Sequence, residues 1–65
     1  MKLRGLKLYR CGAVDTKSAP PKKIADAMVK HGGKHARIFP GGIYPNMPIS
    51  LGKLLVADKA AEEIS

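Results

Sequence analysis

The stretch Pro20-Pro21-Lys22-Lys23-Ile24-Ala25-Asp26-Ala27-Met28-Val29-Lys30-His31-Gly32-Gly33 decides the fold class. Ile24, Ala27, Met28 and His31 recur at i, i+3, i+4 and i+7, the spacing that puts side chains on one face of an α-helix. Pro20 and Pro21 suit the first turn, where a missing N–H leaves no bond unmade. Lys30 and His31 favour the negative end of the helix dipole, and Gly32 stands where a helix stop is expected. The pattern predicts an amphipathic helix over about 21–31, with Lys22, Lys23 and Lys30 on its solvent side.

Toward the N-terminus the period changes. Met1 to Cys11 alternates basic and apolar residues (Lys2, Leu3, Arg4, then Leu6, Lys7, Leu8, Tyr9, Arg10), and Gly5 argues against a helix. A near period of two predicts a strand with Leu6 and Leu8 inward and a bulge where the alternation slips at Gly5. Gly12 to Pro21 is a polar connection rich in turn formers.

Beyond the helix, Lys34 to Phe39 reads as a short second strand with Arg37 and Ile38 on opposite faces. Pro40-Gly41-Gly42 forces a turn, the proline fixing φ and a glycine supplying a positive one. Ile43 to Pro48 is apolar, yet Pro45 and Pro48 bar it from a helix interior or a central strand. Such a segment packs over its own core or lies on another molecule. Two patterns compete over Ser50 to Ser65. One is a single helix capped by Ser50, with Leu51, Leu54, Leu55, Ala61 and Ile64 on a face. The other is a buried strand over Lys53 to Ala57 followed by a short helix from Lys59 with Asp58 as N-cap. Gly52 suits the first poorly and Asp58 suits the second well, so strand then helix is favoured.

These elements define an α+β fold, read as one small basic domain over residues 1–65. It has one amphipathic helix (about 21–31), two or three short strands, a Pro/Gly-rich extended segment and a short C-terminal helix. A chain this short hides only about 60% of its unfolded surface, so its core has little surplus. The aliphatic candidates are Leu3, Leu6, Leu8, Val14, Ile24, Met28, Val29, Ile38, Ile43, Ile49, Leu51, Leu54, Leu55, Val56 and Ile64, with Tyr9, Phe39 and Tyr44 the aromatics. Domains of this size usually lean on disulfides, a metal or a partner. Cys11 is the single cysteine, which excludes an internal disulfide and fits a reducing compartment. A partner is the support that remains, either an oligomer or a larger assembly.

The formal charge is +7, and it is unevenly placed. Up to Phe39 there are ten basic residues against Asp15 and Asp26; from Pro40 onward Lys53 and Lys59 face Asp58, Glu62 and Glu63. A basic front of this kind repels itself and steers toward an anionic partner, nucleic acid being the commonest. The candidate polyanion-binding residues are Lys2, Arg4, Lys7, Arg10, Lys22, Lys23, Lys30, Lys34 and Arg37. The candidate protein-docking residues are Ile43, Tyr44, Met47, Ile49 and Leu51, drawn from the proline-pinned segment.

Chemical motifs are weak by comparison. His31 and His35 have the i, i+4 spacing of a ligand pair, but Gly32-Gly33 breaks the helix between them, and four zinc ligands are not in prospect. No metal or cofactor is expected. Cys11 lacks a base at any recognisable spacing and reads as a small core residue. His31-Gly32-Gly33-Lys34-His35 lacks the first glycine and the Ser or Thr of a phosphate loop. Its milder reading is a basic loop, Lys30, His31, Lys34, His35 and Arg37, able to touch phosphates. The three aromatics read as core rather than as a base-stacking platform, the paired-aromatic motif of common RNA-binding sheets is missing, and the residues after Gly32 do not resume a helical period before Pro40, which fits a helix-turn-helix badly.

No stretch reaches the roughly 18 apolar residues of a membrane span. Lys7 and Arg10 interrupt any signal-peptide core, so a cytoplasmic protein, or one in a particle assembled inside a cell, is expected. The function these features favour is a non-enzymatic binding or assembly protein, an accessory component of a nucleoprotein or phage-like virion particle with weak sequence specificity. The alternative is a small inhibitor or adaptor whose basic face meets an acidic patch on a larger protein.

Overall fold

The structure, a computed structural model, describes residues 1–12 and 17–64. Val14 and the middle of the Gly12–Pro21 connection lie outside the described residues. In chain order the elements are β1 (Leu3–Gly5), β2 (Tyr9–Arg10), α1 (Lys22–Gly32), β3 (Arg37–Ile38), β4 (Ile43–Tyr44), α2 (Ile49–Ala57) and β5 (Ala61–Glu63). The α+β class is as expected. β1 is the middle of an antiparallel three-stranded sheet, β4-β1-β5, while β2 and β3 form a separate antiparallel ribbon. One core joins them: Leu3, Tyr9, Cys11, Ile24, Met28, Ile38, Met47, Leu51, Leu55, Ala60 and Ala61.

α1 follows its local signals. Pro21 is the residue before the first turn, Ile24 and Met28 are buried, and Gly33 (φ 89°) donates its N–H to the Val29 carbonyl to end the helix. His31 stays exposed in the last turn, where its Nε2 lies 3.3 Å from Ser50 Oγ at the start of α2. The Phe39–Gly42 turn also forms as its residues dictate. The Gly42 N–H reaches the Phe39 carbonyl at 3.1 Å, with Pro40 next and Gly41 at φ 81°, the type II arrangement.

The N-terminal segment departs from expectation. It splits into β1 and β2, and Leu3, Tyr9 and Cys11 face the core while Leu6 and Leu8 are exposed. The cause is Gly5, which is a close-approach position rather than a bulge. A Cβ there would land on the Phe39 carbonyl oxygen, with the carbonyl carbon at 3.0 Å. Gly5 N–H donates to Gly42 O (2.9 Å) and Gly5 O accepts from Gly41 N–H (2.8 Å), so β1 ends clamped to the turn. The chain then bends at Lys7, and Tyr9, which buries more area than a leucine, takes the inward place.

The C-terminal order is the reverse of the one favoured from sequence: helix over 49–57, then strand over 61–63. Pro48, with φ −56°, precedes the first turn in place of the Ser50 cap, and Leu51 and Leu55 bury one helical face. Asp58 ends this helix instead of starting another, its N–H bonded to the Leu54 carbonyl. Its carboxylate Oδ2 accepts a hydrogen bond from the Tyr9 hydroxyl, a partner no local pattern reveals. The small Ala60 and Ala61 then fit beneath the sheet, and β5 fills the open side of β1 with Glu62 opposite Arg4.

Two predictions come from this packing. Gly5→Ala pushes a methyl into backbone and is expected to destabilise the fold by about 3 kcal/mol. At Gly52 an added Cβ meets the flexible Met1 side chain, and alanine improves helix propensity by about 1 kcal/mol, so Gly52→Ala is expected to lose less than about 1 kcal/mol. Urea denaturation of the two variants checks the contrast, and equal losses would contradict it.

Burial, the hydrogen bond to Asp58 and the nearby negative charge together push the Tyr9 pKa up from 10.0 to about 12. The stability this contributes is whole below pH 10, where the unfolded chain also keeps the phenol neutral, and is lost as pH rises to about 12. Burial of the Cys11 thiol raises its pKa and acts in the same direction. Tyr9→Phe is therefore expected to lose less stability than the parent between pH 9.5 and about 12, read from urea midpoints across that range.

Candidate polyanion-binding site

All nine candidate cations are exposed, but the fold employs them differently. Arg4 lies opposite Glu62 across β1 and β5, and its Nε donates to Glu62 Oε1 at 2.7 Å in an ion pair. Lys7 Nζ reaches the Asp58 carbonyl at 3.4 Å, at the negative end of α2. Lys2 lies just before β1, its carbonyl accepting the Ile64 N–H at 2.9 Å. Lys22, Lys23 and Lys30 stand on the solvent side of α1, and Lys34 is in the turn that follows it.

The ribbon brings the remaining two together. Arg10 pairs in register with Arg37, as Tyr9 does with Ile38. Cys11 N–H donates to Ala36 O at 3.0 Å, so the hydrogen-bonded pairs alternate and Arg10–Arg37 is the intervening pair. In that kind of pair the Cα atoms approach to about 4.5 Å and the side chains are at their closest. Arg10 N–H confirms the geometry by turning outward to Ser18 O, 2.8 Å away. Neither guanidinium has an ion pair or side-chain hydrogen bond among the described residues. Two unneutralised arginines thus face solvent side by side above a buried Tyr9–Ile38 pair. Lys34 sits at the ribbon's end, its carbonyl 3.8 Å from where a Cβ on Gly12 would lie.

Phe39 continues this outer face. It is 48% exposed, two residues on from Arg37 with the buried Ile38 between them, and Leu8, 36% exposed, precedes Tyr9 on the other strand. Its expected place in the core is taken by Ile38, with Tyr9 buried and Tyr44 half-buried. Tyr44 Oη instead accepts the Phe39 N–H at 2.7 Å.

The docking candidates divide in the same way. Met47 and Leu51 are committed to the core, Tyr44 packs against it, and Ile43 and Ile49 remain 51% and 62% exposed. Met28, Ile38, Met47 and Leu51 line an apolar groove of about 150 Å³ with His31 and Arg37 on its walls. Ligand pockets usually begin at about 300 Å³. His31, His35 and Cys11 are not gathered: among the described residues no group of three or more His, Cys, Asp or Glu side chains is placed to hold a metal ion. Among the described residues no helix is long and apolar enough to cross a membrane.

Sequence reasoning named both arginines as candidates but had no means of pairing them, because their register is set by strands 27 positions apart in the chain. No protein-family model matches the chain, and no curated protein and no solved structure is significantly similar to it.

Like charges directly opposite across two strands are destabilising by about 0.2–1 kcal/mol. Arg37→Gln is therefore expected to raise the melting temperature of the free protein by about 1–8 °C at low salt, and by less at high salt. Calorimetry at two ionic strengths checks this, and a loss of stability would show that Arg37 is structural.

Proposed function

We propose that this protein is a non-enzymatic binder of nucleic acid, holding the phosphate backbone through Arg10 and Arg37 as an accessory component of a larger nucleoprotein assembly. The observation that carries the reading is the cross-strand arginine pair, exposed and with no counter-charge among the described residues. Two guanidinium forks at that separation match the oxygens of one phosphate, which accepts paired N–H donors from each. The net charge of +7 adds long-range steering toward a polyanion. Phosphate contacts of this kind carry little sequence information, so binding is weakly sequence-specific.

A binding role also suits the only cysteine. Cys11 is buried, and burial pushes its thiol above the usual range, which lowers the thiolate fraction a nucleophile requires. Ile43 and Ile49 supply an apolar surface for a neighbouring protein within such an assembly.

Fluorescence anisotropy with labelled DNA and RNA over a salt series tests the proposal. The logarithm of the binding constant is expected to fall linearly with the logarithm of salt, and each Arg→Gln change at positions 10 and 37 to reduce the slope by about 0.7–0.9. Binding that persists unchanged in molar salt, or no binding to nucleic acid of any kind, would refute it in favour of a protein partner.

A further inference from the structure

We infer that the nucleic acid held by this ribbon is single-stranded, with a phosphate between Arg10 and Arg37 and the adjoining base stacked on Phe39. The inference rests on the polyanion-binding reading above and adds what the site recognises. Leaving a phenylalanine 48% exposed forgoes burial that so small a core can use. The residue is nevertheless rigidly placed. Its N–H is bonded to Tyr44 Oη, its carbonyl accepts the Gly42 N–H, Gly5 packs against that same carbonyl, and Pro40 fixes the chain beyond. A phenylalanine held at its backbone and about half exposed leaves ring surface available for stacking.

Position supplies the second half of the argument. Two residues along an extended strand span about 6.6–6.8 Å, which sets the ring beside the arginine pair at the reach of a nucleotide's own base from its phosphate. Leu8 extends the apolar platform on the other strand. Charge selects the partner class: a patch with two cations and no neutralising acid among the described residues takes an anion, and the neighbouring ring takes a flat apolar surface. A single-stranded nucleotide offers both. In a duplex the base faces are already stacked on one another and closed to Phe39. An acidic protein offers carboxylates but no flat ring at a fixed distance from them.

The test measures the full chain by anisotropy against four probes: a dT oligonucleotide, a U oligonucleotide, a hairpin duplex and inorganic polyphosphate. The two single strands are expected to bind more tightly than the duplex. Phe39→Leu is expected to weaken single-strand binding about tenfold, within the range of one base–aromatic stack, and to leave polyphosphate binding unchanged. Phe39→Tyr should keep the parent affinity. A 2-aminopurine in the oligonucleotide should lose fluorescence on binding the parent protein but not Phe39→Leu, and circular dichroism confirms that the variant is folded. If polyphosphate and all nucleic acids bind without dependence on Phe39, the stacking inference alone is wrong. If the duplex binds as tightly as the single strands, it is also wrong. If none of the four probes binds, the underlying polyanion reading falls first. If a poly-glutamate peptide binds more tightly than either oligonucleotide, the occupant is an acidic protein.

Discussion

The backbone contact between Gly5 and the Phe39–Gly42 turn is the constraint on which the rest of the molecule depends. Only a residue without a Cβ lets β1 lie against the Phe39 carbonyl, and the two hydrogen bonds to Gly41 and Gly42 hold it there. That closure places β4 beside β1, ends the three-stranded sheet and turns the chain toward the ribbon. It also immobilises Phe39, so one contact serves both the core and the outer face. The core gains Leu3, fully buried, and the surface gains an aromatic residue anchored at its backbone.

The cations are distributed by the same architecture. Acidic residues are scarce, three of the five lie late in the chain, and the fold brings two of those three back to the basic front. Glu62 neutralises Arg4, and Asp58 supplies its carbonyl to Lys7 and its carboxylate to the Tyr9 hydroxyl. An exposed ion pair of this sort contributes little stability, at most about 1 kcal/mol. Its larger effect is selective: Arg4 is quenched, whereas Arg10 and Arg37 are left together with no counter-charge among the described residues. A basic half read from composition becomes, in three dimensions, a short cationic ribbon.

How much of this was legible in the sequence depends on how far apart the deciding residues lie. α1 was readable because its period, its leading prolines and its glycine stop sit within fourteen residues of one another. The type II turn was readable for the same reason. The strand-then-helix expectation for the C-terminal part failed because Asp58 looked like an N-cap, and only Tyr9, 49 residues away, shows why its carboxylate is engaged elsewhere. Leu6 and Leu8 were placed inward because the alternation was counted through Gly5 as if the strand ran on. At the site, composition marked Arg10 and Arg37 as basic without showing that they are neighbours, and Phe39 as apolar without showing that Ile38 occupies the inward place.

The middle position of β1 has a bearing on how the chain acquires its form. Both neighbours of this strand come from far downstream, and Arg4 meets Glu62 across 58 positions. Such a sheet cannot zip up locally, since each pairing must first close a long loop. α1 can form early from local contacts, but β1 is not paired on both sides until β5 has been made. Until then β1 lacks its partner on one side and Arg4 its counter-charge, so the ion pair that spans the chain is among the last contacts to form.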